Sequence, residues 1–168
     1  MERAKLEDII MNIEIAITNL GTHYFYYRNI TCKEDYDNAV KEFCDNYPND
    51  FEIQLIESDI RYVDSDNLYD FLEIVDETEE SEEVIAFLLK WYSKEDVKRI
   101  CEDYNFYVVE ATSATEAIAE YLRNVMCIEI PEHLENYIDW EQFQIDYECN
   151  GYFIKELNLE EYIIVAPF

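Results

Sequence analysis

The chain has 168 residues, of which 40 are Asp or Glu and only 12 are Lys or Arg, giving a formal net charge of -28. With 49% apolar and 15% aromatic residues it is too rich in core-forming side chains for a disordered acidic tail, and its charge opposes direct binding to nucleic acid or anionic membranes. Five cysteines, at 32, 44, 101, 127 and 149, include no CxxC pair and are odd in number, which excludes a complete disulfide framework and points to reduced thiols in a cytoplasm.

The length allows a sizeable core in one domain or a few small subdomains, and two glycines and three prolines leave little room for flexible linkers. Glu7, Asp8 and Glu14 interrupt the N-terminal apolar run, which therefore lacks signal-peptide character. No stretch reaches the roughly 18 apolar residues of a membrane span.

Ile13, Ile15 and Ile17 alternate with Glu14, Ala16 and Thr18, which predicts a strand ending at Asn19-Leu20-Gly21, and residues 24–28 predict a second. Thr31 and Glu34 have capping-box spacing before a helix whose apolar positions are Tyr36, Ala39, Val40, Phe43 and Tyr47, ending before Pro48. Residues 51–56 return as a strand. Helical spacing follows at Leu68, Phe71, Leu72 and Val75, in an apolar helix over 84–92, and at Val97, Ile100, Cys101 and Tyr104, the last capped by Ser93 with Asp96. Residues 106–109 form a strand. Ser113 and Glu116 then cap a helix carrying Ala117, Ile118, Tyr121, Leu122 and Val125. One or two short helices begin at Pro131, a favoured first helical position, and two closing strands end the chain. The fold class is α+β, an elongated chain of three small subdomains: α+β over 1–61, with 1–10 a possible extension, a helical cluster over 62–104, and α+β over 105–168.

The acids coat every segment instead of forming a tail. Residues 1–60 carry 13 acids against 5 bases, 61–110 carry 15 against 5, and 129–168 carry 10 against 1. Residues 111–128 carry only 2 and 1, so this quiet stretch suits burial or subunit contact. Six acids crowd residues 76–83, where acids opening a helix also have a plain structural reading through the macrodipole.

Little here suggests catalysis. No phosphate-cradling glycine loop or nucleophile elbow is present, and His23 and His133 stand far apart without companion ligands, as surface or packing histidines. Asp64, Asp66 and Asn67 open like a calcium loop, but Leu68 and Val75 occupy positions that need oxygen ligands. No catalytic, cofactor-binding or metal-ligating residue is assigned. The charge itself suits a partner with a positive groove, and grooves of that kind bind nucleic acid. At about one charge per 1.7 Å of duplex axis, 28 charges correspond to about 48 Å, roughly 14 base pairs.

Residues 130–154 then resemble the ArdA antirestriction family. The matching positions are Ile130, Pro131, Leu134, Asn136, Tyr137, Ile138, Asp139, Trp140, Phe143, Asp146, Gly151 and Phe153, and weaker similarity reaches upstream to residue 12. The chain departs from the family after Asn19-Leu20-Gly21, where a longer glycine- and tryptophan-containing stretch is usual, and the family's usual start falls near Met11, a candidate initiator. The resemblance implies an elongated, curved homodimer of three small domains, joined through the C-terminal one, that imitates bent DNA. Such a protein occupies the DNA groove of type I restriction-modification enzymes and protects incoming mobile elements. It is not an enzyme, needs no cofactor, and works in the cytoplasm of the host of a plasmid, transposon or phage. The alternatives are a mimic aimed at a CRISPR effector or another DNA-binding protein, and an acidic binding chaperone.

The acids expected on polar faces are Glu34, Asp35, Asp37, Glu42, Asp70, Glu73, Asp76, Glu77, Glu79, Glu80, Glu82, Glu83, Glu132, Glu135, Asp139 and Glu141. The dimer contact is expected at Phe106, Val108, Ile118 and Tyr121, where repulsion between two acidic bodies is least.

Overall fold

A computed structural model describes residues 11–22, 24–47 and 50–168, so His23 lies outside the described residues. The fold is α+β, with two three-stranded antiparallel sheets and seven described α-helices. It divides into two compact units, one reaching to Val97 and one spanning Lys98–Phe168. None of the five cysteines is in a disulfide.

In the first unit β1 (Ile13–Asn19) lies between β2 (Phe25–Ile30) and β3 (Phe51–Ser58). The β1–β2 turn is held by Asn19, whose Oδ1 accepts the Gly21 and Thr22 backbone N–H groups at 3.1 and 2.8 Å. Ile13, Ile15 and Ile17 are fully buried, as their alternation predicts. Ala16 and Thr18 are buried as well, at 1% and 7% exposure, although the same alternation places them on a polar face. The reason is the central position of β1: Ala16 sits between Tyr27 and Gln54, and Thr18 between Phe25 and Glu52, so larger neighbours on both strands cover them.

Helix α1 (Lys33–Asn46) anchors through Ala39 and Phe43, its buried residues. The Phe43 ring meets Tyr26, Tyr47 and Phe51 at centroid distances of 6.0, 5.1 and 5.9 Å. Its cap differs from the expected box. Cys32 is the N-cap, and the Thr31 N–H and hydroxyl donate to Asp35, not Glu34, at 3.0 and 2.5 Å.

Helices α2 (Leu68–Glu77), α3 (Glu82–Leu89) and α4 (Lys94–Glu102) follow. The apolar face of α2 is Leu68, Phe71, Leu72 and Ile74; Val75 is only half-buried. α3 starts earlier and ends earlier than expected, leaving Trp91 half exposed beyond it. The Ser93 hydroxyl donates to Asp96 and accepts its N–H, as the cap spacing predicts. Tyr104 is exposed with a φ of 52°, because the chain leaves the helix there instead of adding another turn. Asp64 and Asn67 hold each other's backbone N–H groups in the turn before α2, which gives their polar run a local role.

The second unit has β6 (Glu161–Val165) between β4 (Phe106–Glu110) and β5 (Phe153–Asn158). Helix α5 (Ala114–Glu120) is capped by Ser113, and its last stretch, Tyr121–Val125, widens into a π-turn in which the Met126 N–H reaches the Tyr121 carbonyl at 3.0 Å. After α6 (Glu132–Glu135) and α7 (Trp140–Cys149), Gly151 reverses the chain at a φ of 89°, a left-handed conformation that suits glycine. Pro131 caps α6 instead of occupying its first turn.

Val109, Ala117, Ile118, Tyr121, Leu122, Ile154 and Ile164 form this unit's core, against which Tyr107, Tyr147 and Tyr152 pack. Two of the residues expected at the dimer contact lie in this core. Ile118 and Tyr121 are 0% and 3% exposed and spend their surface inside the unit; Val108, at 41%, is open to solvent, and Phe106 is half-buried.

Candidate functional site

The acidic surface takes its character from the few bases. In the first unit Arg28 reaches Glu42 at 3.3 Å while lying 3.7 Å over the Tyr26 ring. Lys94 bridges Asp70 and Glu73 of α2 at 3.2 and 2.9 Å, and Lys33 approaches Glu73 at 4.0 Å. Both ammonium groups lie 5.6 Å from the centre of the Tyr69 ring. Hydrogen bonding to Glu73 holds the Lys94 ammonium above the usual lysine range. Arg61 and Lys90 lie over the ring of Tyr62. In the second unit Arg99 stacks on Phe168, and Arg123 joins Glu120 and Glu135 beneath Trp140. Arg28, Lys33, Lys94 and Arg123 thus cancel particular carboxylates within their own units, and the acids far outnumber them.

The expected acids accordingly separate. Glu34 and Asp37 of α1 are exposed, as are Asp76, Glu77 and Glu79, with Glu80 half-buried in the connection before α3. Glu141 and Asp139 are exposed on and before α7, although Asp139 also caps that helix by accepting the Gln142 N–H at 3.0 Å. Glu42, exposed on α1, and the half-buried Asp70, Glu73 and Glu135 are bound to the protein's own bases. Asp35 is committed to Thr31, whose hydroxyl and N–H hold its carboxyl below the ordinary range. Glu82 and Glu83 are half-buried in the first turn of α3, and burial raises the Glu82 carboxyl. Glu132 lies in α6.

The run from 76 to 83 discriminates between two readings of the charge. Acids in a first helical turn gain from the macrodipole, which accounts for Glu82 and Glu83. Asp76 and Glu77 occupy the opposite end of α2, where the dipole disfavours them and no base is present in the last turn. The last turns of α1, α3, α5 and α7 likewise contain no base. Acids also stand in the favoured first turns of α1, α2, α4, α5 and α7, so it is Asp76 and Glu77 whose placement does not follow helix stability.

The acids expected on polar faces leave out exposed ones in strands and other loops. Glu52 and Glu57 of β3 are exposed, as are Asp64 and Asp66 of the following loop and Glu156 of β5. For Glu52 the signal was present, because residues 51–55 alternate apolar and polar. Among the described residues no group of three or more His, Cys, Asp or Glu side chains is placed to hold a metal ion, and no helix is long and apolar enough to cross a membrane.

No curated protein matches this chain. The family model for antirestriction protein (ArdA) matches residues 11–157, which takes in all of β1 through α7 and most of β5. By that match over most of its length, the chain belongs to the ArdA family of antirestriction proteins.

Proposed function

We propose that the protein is a DNA mimic that occupies the DNA-binding groove of a type I restriction-modification enzyme and so blocks restriction, modification or both. One observation carries the reading: Arg28, Lys33, Lys94 and Arg123 are bound within their own units by Glu42, Asp70, Glu73, Glu120 and Glu135, and Arg61, Lys90 and Arg99 lie against aromatic rings, while Glu34, Asp37, Asp76 and Glu79 are exposed. A surface sorted in this way presents one sign of charge to a partner and steers it by long-range attraction. Occupation of a groove needs no chemical step, and the protein acts without turnover or cofactor in the cytoplasm that houses its target. We also propose that it works as a homodimer, with contact at Val108 and Phe106 on the edge strand β4.

Cleavage of unmodified plasmid by a purified type I restriction enzyme tests the reading. Stoichiometric protein should protect the plasmid, and added salt should weaken the protection. Full cleavage at low salt with the protein in excess would remove the type I target.

A further inference from the structure

The first sheet has two unlike faces. On one, Tyr26 and Arg28 of β2 reach Phe43 and Glu42 of α1. Register puts Phe25, Thr18 and Glu52 in one row of the opposite face, and Tyr27, Ala16 and Gln54 in the next. Phe25 and Tyr27 are 50% and 52% exposed and stack at 6.4 Å with an interplanar angle of 18°. The small Ala16 and Thr18 lie low between this aromatic wall and the polar side chains of β3. Buried Thr18 belongs to the same face, and its hydroxyl has no hydrogen-bond partner in the structure. One row further, Glu14 faces Glu57 across the sheet, a like-charged pairing that costs stability.

Two half-exposed rings that face a carboxylate across the small side chains of β1 define a chemistry. An aromatic face attracts a cation through its quadrupole, and a guanidinium stacks on a ring while its N–H groups bind a neighbouring carboxylate. Lysine offers a compact, strongly hydrated charge and fits the rings less well. Nucleobases also stack on such rings, but their phosphates meet a protein of net charge -28, and a second copy brings Glu14, Glu52 and Glu57 against themselves. We propose that this face binds an arginine side chain of a basic protein segment, clamped between Phe25 and Tyr27 on one side and Glu52 on the other. The inference rests on the reading that the partner is a basic protein, and adds a contact that imitation of phosphates does not supply.

Calorimetric titration with hexaarginine and hexalysine peptides at about 0.15 M salt tests it. The whole protein should bind hexaarginine about fivefold more tightly than hexalysine, the ratio expected from one or two exposed cation–π contacts. Phe25→Leu/Tyr27→Leu keeps Ala16 and Thr18 covered and the charge unchanged, and it should bring the ratio close to one. Independently of that variant, hexaarginine should shift the Phe25 and Tyr27 ring resonances of the native protein, and hexalysine should not. Equal binding of the two peptides, or a ratio unchanged in the variant, overturns the assignment. Loss of self-association in the variant gives the face to a second copy and overturns it as well. Plasmid protection by the native protein is scored separately: protection without arginine preference removes only this contact, and absence of protection removes the reading beneath it.

Discussion

Phe43→Ala separates net charge from its arrangement, because it leaves the charge at -28 while attacking the anchor of α1. Phe43 is 1% exposed and meets three aromatic rings, and only Ala39 shares the buried side of the helix. Truncating a buried Phe costs about 3–5 kcal/mol, and loss of the ring contacts places this site near the upper end, about 4–5 kcal/mol. With a urea slope of about 2 kcal/mol/M, the midpoint of the first unit should fall by about 2 M. Urea unfolding combined with amide exchange across Lys33–Asn46 reads both effects, and the α1 amides should lose protection first. If Glu34 and Asp37 must stand in fixed positions, plasmid protection should weaken under conditions where α1 has lost its exchange protection. A midpoint shift below about 0.5 M, which at that slope is about 1 kcal/mol, would refute the anchoring role. Undiminished protection by a protein with α1 unfolded would refute the need for fixed positions.

Other outcomes follow from individual groups. Glu34→Gln/Asp37→Asn should weaken competition with DNA and leave stability nearly unchanged, whereas Glu73→Gln should leave competition nearly unchanged and cost up to about 1 kcal/mol in a urea melt, because it removes one of the two carboxylate charges paired with Lys94. Asp35 should titrate below ordinary aspartates by NMR, and Thr31→Val should bring it back up. Its folded pKa is depressed, so its contribution to stability is present above the usual aspartate range and is lost as pH falls through the folded value. Tyr121, pushed up mainly by burial and then by Tyr152, Tyr107 and Tyr147, should stay protonated when exposed tyrosines ionise. Because its folded pKa is raised, the unfolded chain gives up this proton first above pH ~10, and stability should fall from there in an alkaline melt. Tyr121→Phe should lessen that fall.

Much of the fold was legible because strand and helix periods are undisguised. The β1 isoleucines, the Ser113–Glu116 cap and the closing hairpin stand where their residues indicate. What the sequence hid was mostly tertiary. Nothing local shows that β1 is the middle strand, so Ala16 and Thr18 look solvent-facing until Tyr27 and Phe25 are placed beside them. The Thr31 cap chose Asp35 over Glu34 because the helix begins one residue later, with Cys32 as its cap. Low charge over residues 111–128 signalled withdrawal from the surface, but it does not distinguish a subunit contact from a core, and Ile118 and Tyr121 belong to the core. The acidic surface was legible in amount but not in allocation. Which carboxylates are cancelled depends on long-range pairs such as Arg28 with Glu42 and Lys94 with Glu73, which no spacing rule reports.

Groove occupation is read by equilibrium competition of the protein against labelled DNA bound to a type I methyltransferase core, measured by fluorescence anisotropy across a salt series. Stoichiometric protein should displace DNA in low salt, with affinity for the enzyme falling steadily as salt rises. DNA that stays bound at low salt against excess protein, or an affinity of the protein for the enzyme that does not fall with salt, would contradict groove occupation.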